Sequence, residues 1–165
     1  LEELHPEYVE EPVAGDAMMD LSDSPVPLAA DESLRDAEVA SRLLDVPIVS
    51  AFILKPSSLG GLDRCMDLAM RAIRHGRRCV VTHSFEGPVG HAAACELALG
   101  LAPFDRGSGA EKILAQGLDR AGVLDAWEDI PVPQLRGSRL VPAEVSGHGI
   151  DPSPLVERAG GDGVI

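Results

Sequence analysis

Apolar and polar positions follow one another in blocks along this chain, and the blocks have two lengths. Short apolar runs are followed by longer stretches whose apolar residues recur at helical spacing. The short runs are "EYVEEP" (7–12), "VPLAADES" (26–33), "IVSAFILKP" (48–56) and "RCVVTHS" (78–84), and each is a predicted strand. Between them, "DAEVASRLL" (36–44) and "LDRCMDLAMRAIRH" (62–75) are predicted helices. The second carries Leu62, Met66, Ala69, Met70 and Ile73 on one face and has Gly76 in place to cap its C-terminus. "PVGHAAACELALGLA" (88–102) opens on Pro88, which suits a first helical turn, and its Ala-rich body predicts a buried helix. Strand and helix in this alternation predict α/β architecture, with βα units on a parallel sheet.

Beyond residue 103 the pattern decays. "GAEKILAQGLDRAG" (109–122) has the spacing of one more helix. "IPVPQLRGSRLVPAEVSGHGI" (130–150) is punctuated by Pro and Gly and reads as turns and short extended pieces, and "RAGGDGVI" (158–165) as a frayed end.

The polar residues gain meaning from where they fall. Glu10 and Glu11 close the first predicted strand, Asp31 and Glu32 the second, Lys55 the third, and Thr82, His83 and Ser84 the fourth. Carboxyl ends of parallel strands are where α/β folds bind ligands. Carboxylates from neighbouring strands suit a hard cation such as Mg²⁺, which takes oxygen ligands. A lysine beside them can serve as a base if desolvation and positive neighbours lower its pKa. On local grounds alone, Asp31 and Glu32 can equally be the acidic start of a helix.

Composition narrows the classes. Of 165 residues, 45% are hydrophobic and 25% charged, the balance of a globular domain, and the formal net charge of −13 argues against nucleic-acid or anionic-membrane partners. No apolar run reaches the ~18 residues of a membrane span. Cys65, Cys79 and Cys95 have no CxxC spacing and read as reduced, buried thiols of a cytoplasmic protein. With five histidines and neither HxxxH nor HExxH, zinc has little support. Thr82 and Ser84 lack a His–Asp partner set and suit substrate binding better than nucleophilic attack. His83 reads as a satisfied core histidine. Glu86 either meets ligand or starts the helix at Pro88, and "LGGL" (59–62) is either a phosphate cradle or a turn.

"YVEEPV", "VPLAADES", "ILKPSSLGGL" and "VVTHSFEGPVG", taken in order, resemble consecutive strand ends of the enolase superfamily, in its muconate-lactonising branch. The likeness covers residues 5–102, and "RLVPAEVSGHGID" loosely resembles the family's closing segment. It implies the C-terminal part of a (β/α)8-type barrel. Residues 1–104 would hold strands four to seven with their helices, and 105–165 the last barrel helix region and a segment packing toward a lid domain. By resemblance Glu10 and Asp31 are metal ligands for Mg²⁺ or Mn²⁺. Lys55 is the catalytic lysine, Glu11 and Glu32 support the ligands, and Thr82, Ser84 and Glu86 meet a small carboxylate substrate.

The reaction so implied is proton abstraction α to a carboxylate, with a Lys base and a metal-stabilised enediolate. Within the branch, the o-succinylbenzoate synthases of menaquinone biosynthesis are most similar, followed by dipeptide epimerases and muconate-type cycloisomerases; a non-catalytic remnant is the further alternative. The epimerases carry a D-x-D at the eighth strand end, where "LAPFDRGSG" offers only Asp105. The family's K-x-K pair and third metal carboxylate have no counterpart, since Lys55 and Lys112 are the only lysines. A missing N-terminal half, in cis or in trans, is therefore expected. Without it, the inner faces of "PLAA" and "SAFIL" should lie open and drive homo-oligomerisation.

Overall fold

The computed structural model describes residues 2–107, 114–119 and 135–142, with Gly147, Ile150 and Ser153. Lys112, Trp127, His148 and residues 158–165 lie outside the described residues. Four parallel strands, β1 (Val9–Glu10), β2 (Leu28–Ala30), β3 (Val49–Leu54) and β4 (Arg78–Val81), pair in sequence order. Each lies within one of the four predicted runs. Helices α1 (Gly15–Asp20), α2 (Ala37–Leu43), α3 (Pro56–Leu59), α4 (Leu62–Arg74) and α5 (Pro88–Gly107) fill the intervals, and a 3-10 turn, Glu32–Arg35, precedes α2.

Alternation along the strands sorts side chains to two faces. Ala30, Phe52, Leu54, Cys79 and Val81 join the helices in the main core, with Met18, Leu43, Cys65, Ala69, Ala72 and Cys95. Ala29, Ala51, Ile53 and Val80 form the opposite cluster, closed by Leu114 and Tyr8. The expected exposure of this inner face is not found: Ala29 and Ala51 are fully buried, and Ile53 and Val80 are 2% and 3% exposed.

Three local expectations need correction. The buried stripe of α4 runs through Cys65, Leu68, Ala69 and Ala72, while Leu62, Met66 and Ile73 only flank the core. Small residues on the stripe let the helix settle close to β4, with Cys79 Sγ 3.8 Å from the Ala69 carbonyl. Helix α1 has no counterpart in the pattern; its anchor is the fully buried Met18, and Gly15 lets it approach α2, since a Cβ there would lie 2.8 Å from Val39 Cγ1. Finally, residues 114–119 of the stretch read as helical are extended. Gly117 bridges Thr82 in parallel, its N–H donating to the Val81 carbonyl at 2.9 Å. Its ends, 109–113 and 120–122, lie outside the described residues.

Gly76, with φ +71°, ends α4 as expected, and Asp36 caps α2 by accepting from the Glu38 and Val39 N–H groups. Gly60 and Gly61, with φ +88° and +108°, turn the chain between α3 and α4, which satisfies the turn reading of "LGGL". A short hairpin, β5 (Leu135–Arg136) and β6 (Arg139–Leu140), turns at Gly137 within the Pro- and Gly-rich stretch.

Candidate active site

The same alternation aims the strand-end residues. Tyr8, Ala29, Ile53 and Val80 belong to the inner cluster, and two residues further along each strand stand Glu10, Asp31, Lys55 and Thr82. All four therefore fall in the inward register at the carboxyl end of the sheet.

Three of them meet. Lys55 Nζ donates to Asp31 Oδ2 and lies 3.8 Å from Glu10 Oε1. Asp31 is 4% exposed, and the Lys55 side chain 18%. Although Asp31 sits at the cap position of the 3-10 turn, its side chain makes no capping hydrogen bond. Its carboxylate faces the cleft instead, and helix α2 takes its cap from Asp36.

Burial pushes the Glu10 carboxyl up to about 7, helped by its hydrogen bond to Asp31 and the charge of that neighbour, with Lys55 opposing and Glu32 adding a little. Two carboxylates crowded into a partly dry cleft repel, and the single ammonium does not fully compensate them. A cation held between them would relieve that repulsion.

Glu11 supports the arrangement from behind. Its Oε2 accepts from the Asp31 N–H at 2.8 Å and its Oε1 from the Ser33 hydroxyl, so the end of β1 fixes the turn that carries Asp31. Glu11 does this with φ +37°, a left-handed backbone uncommon for a non-glycine residue. Glu32 is exposed, one residue beyond Asp31.

Around β4 the expected residues are spread out. Thr82 Oγ1 donates to the Gly117 carbonyl at 2.9 Å, toward the next strand-like segment. Ser84 is exposed, its hydroxyl 3.3 Å from Ser58 Oγ, and its N–H donates to Glu86 Oε2. Glu86 packs its side chain on Gly90 in the first turn of α5, and its Oε1 is buried with no hydrogen-bond partner. Asp105 falls within α5 and not on a strand. The strand-like segment ends instead at Leu118 and Asp119, followed by Arg120 and Ala121, so no D-x-D stands there.

His83 is buried and points away from the cleft. Its Nε2–H donates to the Asp119 carbonyl at 2.9 Å, and its ring meets that of His91 on α5 edge-on, with centroids 5.2 Å apart. Sequence reasoning missed His91, Ser58 and the 114–119 segment. Only Ser58, in "KPSS" directly after the lysine, carried a local signal. Cys65, Cys79 and Cys95 are buried and form no disulfide. Burial raises Cys65 to about 11 and Cys95 to about 12, so these two thiols are inert at neutral pH.

Parallel βα units with a lysine and two carboxylates at the strand ends place this chain among α/β folds that bind ligands at the carboxyl end of the sheet. A family model described as "Enolase C-terminal domain-like" matches residues 1–156, and the chain belongs to this family. It is the C-terminal part of the enolase-superfamily barrel. Among curated proteins, o-succinylbenzoate synthase of Yersinia pestis is 30% identical over 123 residues, covering 72% of this chain and 35% of that protein. That of Yersinia pseudotuberculosis matches with the same identity and coverage. The chain thus spans about a third of the length of these relatives.

Among solved structures, muconate lactonizing enzyme from Pseudomonas putida aligns with a TM-score of 0.76 at 22% identity, covering 96% of this chain and 43% of that one. The L-Ala-D/L-Glu epimerase from Bacillus subtilis aligns with a TM-score of 0.67 at 23% identity, covering 87% and 39%. At these identities the likeness is one of fold.

Enolase-superfamily members generally bind Mg²⁺. Glu10 and Asp31 fit such an ion in donor chemistry, being two oxygen ligands under mutual repulsion. They are a partial set: among the described residues no group of three or more His, Cys, Asp or Glu side chains is arranged to hold a metal. Likewise, no helix among the described residues is long and apolar enough to cross a membrane.

Proposed function

We propose that this chain supplies the C-terminal part of the active site of a metal-dependent lyase that dehydrates a β-hydroxy acid, the reaction of an o-succinylbenzoate synthase. The observation that carries the reading is the meeting of Lys55 with Asp31 and Glu10 at three adjacent strand ends. A bound Mg²⁺ or Mn²⁺, held in part by Glu10 and Asp31, would stabilise negative charge on the substrate carboxylate.

Lys55 is the group this chain brings to the chemistry. With its ammonium in a cleft of low solvent access, it stabilises the enediolate oxyanion that forms when the proton α to the carboxylate is removed, a contribution of several kcal/mol. The proton-abstracting base comes from the remainder of the protein. The β C–O bond then breaks as the enediolate collapses to the carboxylate and the new double bond, and the departing hydroxide leaves as water with the proton that the base had taken. Thr82, Ser84 and Glu86 border the substrate from the β4 side, and Glu11 keeps Asp31 in place. In domain terms, residues 1–104 form the barrel portion and 105–165 complete it toward the lid.

An epimerase would use Lys55 as the second of two opposed bases. The absence of D-x-D after Gly117 favours dehydration. The test is to assay the full-length protein with Mg²⁺ on the β-hydroxy acid that yields o-succinylbenzoate, and on L-Ala-L-Glu in D₂O. Elimination of water supports the lyase. Deuterium incorporation into the dipeptide without elimination would replace it with the epimerase.

A further inference from the structure

The loop after β4, Ser84–Glu86, holds two of the residues proposed to border the substrate. Phe85 is 63% exposed and has φ +60°, a left-handed conformation that an aromatic residue adopts only when its surroundings enforce it. The enforcing contact is visible. The Phe85 N–H donates to His83 Nδ1 at 3.2 Å, and the Phe85 ring stands edge-on to the imidazole, with centroids 5.2 Å apart.

The other nitrogen fixes the tautomer. A carbonyl oxygen can only accept, so His83 Nε2 carries the proton and donates to the Asp119 carbonyl, which leaves Nδ1 with a free lone pair for Phe85. His91 stands against the same ring, and its Nε2 lies 3.0 Å from the neighbouring Leu118 carbonyl. Two imidazoles therefore engage consecutive carbonyls of the strand-like segment, and one of them also holds the loop.

We infer that His83 is a positioning residue: one imidazole locks the substrate-side loop Ser84–Glu86 to the segment ending at Leu118–Asp119, and so sets where that loop meets the substrate carboxylate. The inference deepens the function proposed above and rests on it for the identity of the substrate. His83 itself faces α5 and does not enter the cleft. It acts through the Phe85 amide, whose placement fixes the neighbouring Ser84 N–H and hydroxyl and the Glu86 carboxylate.

The two ring nitrogens can be tested separately. In His83→Asn the side-chain oxygen replaces Nδ1 as acceptor for Phe85. In His83→Gln the amide nitrogen replaces Nε2 as donor to Asp119, but no acceptor stands near Phe85. Amide hydrogen exchange of peptides spanning residues 82–88, with urea unfolding as the control for global stability, gives the first readout. Exchange at Phe85 should accelerate at least tenfold in His83→Gln and stay within about threefold of the parent in His83→Asn, with similar urea midpoints for the two. In the full-length enzyme, His83→Gln should raise KM about tenfold with kcat within about threefold, and His83→Asn should restore KM.

Equal exchange at Phe85 in both variants, or exchange that tracks only the urea midpoint, would overturn the inference and make His83 an ordinary core residue. A full-length parent inactive on the β-hydroxy acid would overturn the proposed reaction instead, and the exchange result would still decide the role of His83.

Discussion

Lys55 Nζ donates to Asp31 Oδ2 across the β2–β3 boundary while lying 3.8 Å from Glu10 Oε1, so one ammonium serves carboxylates brought from two other strands. Asp31 is almost fully buried. Removing its partner by Lys55→Met should destabilise the chain by about 3 kcal/mol in urea unfolding at pH 7. Adding Asp31→Asn should recover most of the loss, because no buried charge is then left alone. A single-variant loss below about 0.5 kcal/mol would mean that the pair is solvated. In the full-length enzyme, Lys55→Ala should abolish turnover and leave Mg²⁺ affinity nearly unchanged, since the lysine serves the anion and not the ion.

Glu10 gives the chain a pH dependence of definite sign. Its folded pKa of about 7 lies above the ordinary carboxylate value, so the folded state binds the proton more tightly than the unfolded state. The stability this contributes is fully present below about pH 4.5 and is lost as pH rises toward 7. The side chain is 46% exposed, and solvent screening reduces the effect to about 1 kcal/mol. Glu10→Gln should flatten the stability profile between pH 4.5 and 7. An unchanged slope in that variant would assign the titration to another group.

Metal binding should follow oxygen-ligand chemistry. Isothermal titration of the full-length protein should show Mg²⁺ or Mn²⁺ binding that weakens at least tenfold in Glu10→Gln and in Asp31→Asn, and activity should disappear with EDTA. The isolated chain, with two carboxylates, should bind Mg²⁺ only weakly. Tight binding by this chain alone, or turnover that survives exhaustive chelation, would contradict the ligand assignment.

Gly117 has no room for a side chain: a Cβ there would stand 2.5 Å from Thr82 Oγ1 and 2.9 Å from Thr82 Cβ. Gly117→Ala should therefore destabilise by about 1–3 kcal/mol and push the 114–119 segment off β4. Thr82→Gly in the same chain should relieve the clash, and a double-mutant cycle measures how much. Additive losses in that cycle would show that the two residues do not touch.

Much of the site was legible in the chain because it rests on period two. Once "YVEEP", "PLAADES", "AFILKP" and "VVTHS" read as strands, parity alone puts Glu10, Asp31, Lys55 and Thr82 on one face, and parallel order puts them at one end. That Asp31 is turned to the cleft and not spent as a cap was not legible locally. Glu11, reaching over from β1, and Lys55, from β3, decide it through contacts twenty or more residues apart in sequence.

The 114–119 segment shows the same division from the other side. Its apolar spacing satisfies a helix, but the Gly117 N–H finds the Val81 carbonyl and the Gln116 side chain takes the Val81 N–H, so the sheet edge claims it. The short helix α1 exists because Met18 has a core to enter, and the His83–His91 contact because β4 and α5 pack together. Sequence by itself determined what each strand would offer at its end, since alternation is a property of consecutive residues. Which backbone groups and side chains those offerings would meet depended on partners supplied by other strands and helices, and only the assembled sheet supplies them.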